Sequence, residues 1–273
     1  MSEVVIIHGA FHELWEQIRL WVRWTPSVLD GLWNAGVPMG SVSLPRLQDR
    51  SVVAFWGDLV RPEPHTPEEL AAIAAGTVAK GTPPDVAEVV DGLGQPATGG
   101  GNADLDALLA QAARDTNARS MELLAQYVID PEMRARVHER LERHLDADTK
   151  VVIAHSLGTV IAYQVLCTRP DLNVDLITLG SPLGDTNMVF DLLQPPPVDG
   201  RGVWPVAVRR WTNVAAEGDL ATAGCPQLAE RFGDRVEDHL VYNGRHAHDV
   251  EPYLNSTPTG AALADALGLP RRS

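Results

Sequence analysis

Residues 150–163, Lys-Val-Val-Ile-Ala-His-Ser-Leu-Gly-Thr-Val-Ile-Ala-Tyr, constrain the fold of this chain more than any other stretch. Residues 150–154 read as a short strand buried on both faces, because β-branched residues run almost unbroken. From Leu157 onward, Val160, Ile161, Val165 and the aliphatic part of Tyr163 suit a helix packed on a sheet. Only His155 and Ser156 lie between the two elements. A strand that turns straight into a helix forces the turning residue into strained backbone geometry and lifts its side chain clear of the sheet. Small neighbours are then needed because the two backbones nearly touch, and Ala154 and Gly158 supply them. Taken alone, the same residues also fit a serine that caps a helix after a buried strand. The rest of the chain has to separate these readings.

The pattern Ala154-x-Ser156-x-Gly158 resembles the G-x-S-x-G nucleophile elbow of α/β-hydrolases, particularly their lipase and esterase branches. Alanine replaces the first glycine, which suits a position needing close approach better than one needing positive φ. The resemblance implies an α/β-hydrolase fold, with a mostly parallel twisted sheet of about six or seven strands flanked by helices. It covers most of the chain, leaving residues 61–148 unmatched.

Length agrees with this reading, since 273 residues suit one large α/β domain, or one domain with an insertion. A formal charge of −14 argues against a nucleic-acid partner, whose phosphates it would repel, and disfavours docking on anionic membranes. The two cysteines, Cys167 and Cys225, make neither a disulfide framework nor a CxxC metal pair. No apolar run approaches the ~20 residues that span a bilayer, so stable membrane insertion is not expected. The N-terminus enters a strand without a basic stretch and apolar signal segment, and a cytoplasmic location is the expectation.

Residues 3–8 read as a buried strand ending in His8-Gly9-Ala10-Phe11. In α/β-hydrolases a His-Gly pair commonly closes the strand beside the nucleophile strand. The resemblance therefore implies an oxyanion hole built from the backbone N–H groups of Ala10 and Leu157. It also implies that the first antiparallel strands of larger members have no counterpart here. A helix is expected over residues 13–24. A second is expected to open at Thr25-Pro26, with threonine as cap, and to stop at Gly36. Trp15, Trp21, Trp24 and Trp33 crowd this region and suit either core or cleft wall, core being the commoner use. Residues 39–44 and 51–56 read as strands, with Asp58 in a turn.

Composition changes over residues 61–148, where prolines and Gly99-Gly100-Gly101 break the pattern repeatedly. Helices are expected over 68–78, 85–93 and 104–128, and another from Asp130-Pro131 with Met133, Val137, Leu141 and Leu145 four apart. The block reads as a helical insertion before the nucleophile strand, joined through a linker at 95–102, and either a lid or an appendage. Strands follow at 174–179, 206–214 and 236–241, and a last helix covers about residues 259–267 after Thr257-Pro258.

A serine hydroxyl becomes a good nucleophile only when a histidine takes its proton, and that histidine needs a carboxylate to fix its tautomer. In the α/β-hydrolase order the serine comes first, then the acid, then the histidine. Ser156, Asp219 and His248 follow this order, and each falls just after a predicted strand. Asp185 and Glu217 compete as the acid, and His246 competes as the base. A zinc site from His239, His246 and His248 is a weak alternative, because no further ligand is spaced to complete it. His155 reads as support for the elbow.

The expected activity is a serine hydrolase that cleaves an ester of a small-molecule or acyl substrate, without cofactor or metal. The same constellation also serves thioesterases, peptidases and acyltransferases, and the fold is also used by non-catalytic binding proteins.

Overall fold

The computed structural model describes residues 2–61, 63, 64, 66–68, 71, 122–245 and 247–272. The chain divides into two compact units, one formed by Met1–Leu59 with Arg134–Ser273 and the other by Val60–Met133. The first unit carries the sheet.

Among the described residues the strands are β1 (Val4–Ile7), β2 (Ser51–Ala54), β3 (Val151–His155), β4 (Val174–Leu179), β5 (Val208–Ala216) and β6 (Val236–Val241). They form one six-stranded sheet in the order β2-β1-β3-β4-β5-β6, and every neighbouring pair is parallel. Every residue of β1, β3 and β4 is buried, as a parallel strand covered by helices on both faces requires. The helices are α1 (Gln17–Asn34), α2 (Leu44–Asp49), α3 (Pro131–Glu142), α4 (Leu157–Cys167), α5 (Ala229–Phe232), α6 (Val250–Leu254) and α7 (Thr257–Leu267).

One face of the sheet presents Val4, Ile6, Val53, Ile153, Ile177 and Val214 to Leu20, Trp24, Val28 and Leu32 of α1 and Leu263 of α7. On the other face α4 packs against β3 and β1, and Tyr163 and Trp211 join Phe232 in an aromatic cluster. Trp15 and Trp24 are buried in the core, and Trp21 and Trp33 pack partly buried against it. The tryptophan-rich region is therefore core. Asp175 is a buried carboxylate on β4, and Arg209 and Arg210 both grip it.

Strand order places the site. From β1 the chain moves outward to β2, then returns to β3 on the opposite side of β1 and proceeds to β6. Between β1 and β3 the direction of winding reverses. In open parallel sheets the carboxyl ends of strands at such a switch point border the crevice that binds ligands.

The structure departs from the sequence reading in instructive places. Residues 17–34 form one helix with Pro26 inside it, not two helices divided at Thr25-Pro26. The buried face Leu20, Trp24, Val28 and Leu32 continues unbroken past the proline. Packing of that face overrides the local stop signal, and Thr25 donates its hydroxyl to the Trp21 carbonyl instead of capping. Residues 39–44 are not a strand, since a turn closes with Ser41 N–H donating to Pro38 C=O at 2.8 Å. Pro45 then sits in the first turn of α2, where its missing N–H costs nothing. β2 stops at Ala54 because the Trp56 N–H leaves the ladder and donates to His8 Nε2. β5 runs two residues later than expected at both ends, and α6 went unforeseen.

Of the block expected at 61–148, the residues up to Met133 fall in the compact unit Val60–Met133, and those from Arg134 fall in the unit that carries the sheet. The helix expected from Asp130-Pro131 is α3, and Asp130 caps it, its carboxylate accepting from the N–H groups of Glu132 and Met133 at 2.9 and 3.1 Å. Residues 122–129 are helical, as are Pro67, Glu68 and Ala71, while the rest of the helix expected over 68–78, the helix over 85–93, the linker at 95–102 and most of 104–128 lie outside the described residues. No helix among the described residues is long and apolar enough to cross a membrane.

Candidate active site

At the end of β3 the chain turns into α4 through one residue. Ser156 has φ 55° and ψ −129°, a conformation that a non-glycine residue holds only at a cost of ~1–3 kcal/mol. The surroundings over-determine it. Ser156 N–H donates to Leu179 C=O at 3.0 Å, extending the β3–β4 ladder by one bond. Its own carbonyl accepts from the Thr159 N–H at 2.9 Å and the Thr159 hydroxyl at 2.7 Å. The Ser181 hydroxyl donates to Thr159 Oγ1 at 2.8 Å and accepts from the Leu183 N–H at 3.2 Å, tying the elbow to the loop after β4.

The close approach read from sequence is present. A Cβ at Gly158 would lie 2.6 Å from the His8 carbonyl oxygen and 2.8 Å from that of Ile7, so only glycine lets α4 pass this close to β1. Ala154 lies within the extended strand, so a methyl group there is unstrained. Positive φ is needed at the serine itself.

The serine hydroxyl lies 2.9 Å from His248 Nε2. His248 Nδ1 is 2.9 Å from each of the two carboxylate oxygens of Asp219. Because Nδ1 faces only acceptors, it carries the proton, which leaves Nε2 free to accept from Ser156. Asp219 follows β5 by three residues, beyond the turn at Gly218, and the loop after β6 delivers His248. The Asp219 side chain is 0% exposed while that of His248 is 39% exposed, so the chain of hydrogen bonds runs from the interior toward solvent.

Asp219 has two further donors. The Ala221 N–H reaches Oδ1 at 2.9 Å, and the Tyr253 hydroxyl reaches Oδ2 at 2.6 Å. Burial by itself would raise this carboxyl, but the hydrogen bond and charge of His248, then Tyr253 and Ala221, outweigh it and hold it below the ordinary carboxylate range. It is therefore an anion at neutral pH.

The two histidines flanking this arrangement are fixed in neutral forms. His155, next to the serine, donates from Nε2 to the His248 carbonyl oxygen at 2.9 Å. Burial, with the neighbouring His248 second, depresses its pKa to about 3. His8 directly follows β1, fully buried and stacked on Trp56 with ring centroids 4.8 Å apart. Its Nε2 accepts from the Trp56 N–H at 3.0 Å and its Nδ1 donates to the Gly9 carbonyl at 2.6 Å, so a single tautomer fits. Burial lowers its pKa to about 4.

The backbone after His8 runs directly past the serine. A Cβ at Gly9 would lie 2.6 Å from Ser156 Cβ and 3.1 Å from its Oγ. Ala10 follows, buried by the fold, and Phe11 takes a left-handed φ of 68°. Leu157 is the first residue of α4, so its N–H has no partner within the helix and stands at the positive end of the helix dipole.

The competing assignments fall differently. Asp185 is buried in the turn after β4, where Oδ1 accepts from the Asn187 N–H at 2.8 Å, and it does not join the His248 chain. Glu217 is exposed at the end of β5. His246 lies outside the described residues. Among the described residues no group of three or more His, Cys, Asp or Glu side chains is arranged to hold a metal ion. Asp58 pairs with Arg140 at 2.6 Å. Sequence reasoning missed Thr159, Ser181 and Tyr253 as parts of this site, since hydroxyls of this kind carry no spacing signal. The one hint was an aromatic residue shortly after His248.

Compared with protein-family models, with curated proteins and with solved structures, the chain matches none.

Proposed function

We propose that this chain is a serine hydrolase of the α/β-hydrolase type that cleaves a carboxylic ester. The observation that carries the reading is the unbroken series Ser156–His248–Asp219, joined at 2.9 Å steps at the switch point of a parallel sheet. A second support is the strained serine of the elbow, a conformation expected where side-chain placement matters more than local stability. A third is strand order, because β1 with its His8-Gly9 end lies directly beside β3.

In this reading Ser156 Oγ attacks the acyl carbonyl carbon while His248 Nε2 takes its proton, and Asp219 stabilises the imidazolium. The carbonyl oxygen becomes an anion held by the N–H groups of Ala10 and Leu157, each such donor contributing ~3 kcal/mol to lowering the barrier. The tetrahedral intermediate collapses as the imidazolium protonates the departing alkoxide, leaving an ester on Ser156. Water, deprotonated by His248, then attacks that ester and releases the carboxylic acid. An ester is favoured over an amide by the likeness of the Ala-His-Ser-Leu-Gly elbow to lipase and esterase sequences.

Turnover of short-chain aryl esters tests this. Wild type should show saturable hydrolysis, and Ser156→Ala and His248→Ala should each lose about 10³-fold or more in kcat/KM while unfolding at the wild-type temperature. Equal rates in wild type and both variants would overturn it.

A further inference from the structure

Tyr253 lies in α6, five residues beyond His248, so the segment that delivers the histidine also delivers a phenol. The side chain is fully buried and its hydroxyl donates to Asp219 Oδ2 at 2.6 Å. The carboxylate is thereby held from both sides. Ala221 N–H occupies Oδ1, the Tyr253 hydroxyl occupies Oδ2, and His248 Nδ1 stands midway at 2.9 Å from each oxygen. Two outer donors of this kind stop the carboxylate rotating about its Cβ–Cγ bond. They also draw part of its charge away from the imidazole.

The space for this arrangement comes from Gly180, at the end of β4 with φ 55°. A Cβ there would lie 2.9 Å from Asp219 Oδ2, 3.2 Å from His248 Nδ1 and 3.2 Å from Tyr253 Cε2. Acid, base and phenol therefore converge on the one position that has no side chain. Burial, and next the Asp219 charge, push the Tyr253 hydroxyl strongly up, so it stays protonated and remains a donor wherever the protein is folded.

We propose that Tyr253 is a positioning residue for the proposed hydrolase, its hydroxyl fixing and partly neutralising Asp219 so that the carboxylate meets His248 through both oxygens. This rests on the Ser156–His248–Asp219 reading given above. A phenylalanine would fill the same core volume, so removal of the oxygen alone separates positioning from packing.

The experiment combines Tyr253→Phe, Asp219→Asn and the double variant, read by fluorophosphonate labelling rate and by the proton resonance of the His248 Nδ1–H. Losing the outer donor should leave more charge on Asp219 and shift that resonance further downfield. Labelling should slow about tenfold, as expected when a hydrogen bond to a charged group is lost. In the Asp219→Asn background the same Tyr253→Phe change should alter neither readout. Replacing all tyrosines by 3-fluorotyrosine keeps the sequence and strengthens the phenol as a donor, so the resonance should move upfield, and this arm remains available if Tyr253→Phe does not fold. An unchanged resonance in the Phe and fluorotyrosine proteins, or an equal effect of Tyr253→Phe with and without Asp219, would overturn the proposal. Failure of wild type to label at all would instead count against the hydrolase reading, while the resonance still reports on Tyr253.

Discussion

His155 Nε2 lies 2.9 Å from the carbonyl oxygen of His248, so the residue preceding the serine holds the backbone of the residue that faces it. The two rings lie 4.8 Å apart between centroids, and the contact links β3 to the loop after β6, which are neighbours neither in sequence nor in the sheet. Replacing His155 by Phe keeps an aromatic ring and removes the donor. The expected result is a cost of about 1 kcal/mol in stability and about tenfold slower fluorophosphonate labelling, because the His248 loop loses its anchor. Faster amide exchange at residues 247–249 would accompany the effect. A variant that labels at the wild-type rate would show that the loop is held by other means.

The two aspartates that compete in sequence should separate cleanly in solution. Asp219→Asn should slow labelling by about 10³–10⁴-fold, since a neutral amide neither fixes the histidine tautomer nor stabilises its cation. Asp185→Asn keeps an oxygen for the Asn187 N–H and shares no partner with His248, so its rate should stay within about a factor of three of wild type. Equal losses in both variants would contradict this assignment.

Gly158 tests the elbow through stability. A methyl group at this position meets two backbone carbonyl oxygens at 2.6 and 2.8 Å, and neither can rotate away as a side chain would. Gly158→Ala should cost about 1–3 kcal/mol in denaturant unfolding, and more if α4 cannot shift on β1. Little or no change would mean that the helix and strand separate more easily than their packing implies.

Acid should weaken the fold before its carboxylates titrate. Burial depresses His8 to about 4 and His155 to about 3, against an ordinary value of 6.5. Below pH 6.5 the unfolded chain binds protons at both positions that the folded chain does not, so stability falls with pH. Each histidine contributes a slope of about 1.4 kcal/mol per pH unit, ending as the pH reaches its folded value. Their stabilisation is fully present above 6.5 and is lost from there down to about 4 for His8 and about 3 for His155. Urea midpoints measured near pH 7.5 and pH 5 should drop accordingly, and a flat profile would contradict the buried neutral assignments.

What sequence revealed here follows the range of the forces involved. β3 and β4 were legible because a strand buried on both faces is largely apolar, and the 174–179 and 236–241 spans match residue for residue, although β6 at the sheet edge is mostly half-buried or exposed. Ser156, Asp219 and His248 stood out because each follows a strand end, and the parallel sheet brings those ends to one edge. Pro26 misled because its local stop signal is outweighed by a buried face that extends from Leu20 to Leu32. Residues 39–44 misled because Met39, Val42 and Leu44, interspersed with Gly40, Ser41 and Ser43 between two prolines, make too short a pattern to separate strand from turn. The Tyr253–Asp219 bond and the Thr159–Ser181 pair were not legible, since they join residues 34 and 22 apart in sequence. Such contacts exist only once the sheet has formed.

The central claim is an activated serine at position 156, and the most direct measurement is intact-mass and peptide analysis after treatment with a fluorophosphonate. A single adduct on the peptide carrying Ser156, absent in Ser156→Ala and strongly slowed in His248→Ala, is the result this account predicts. Folded wild-type protein that takes up no adduct, or takes it up equally after Ser156→Ala, would contradict it.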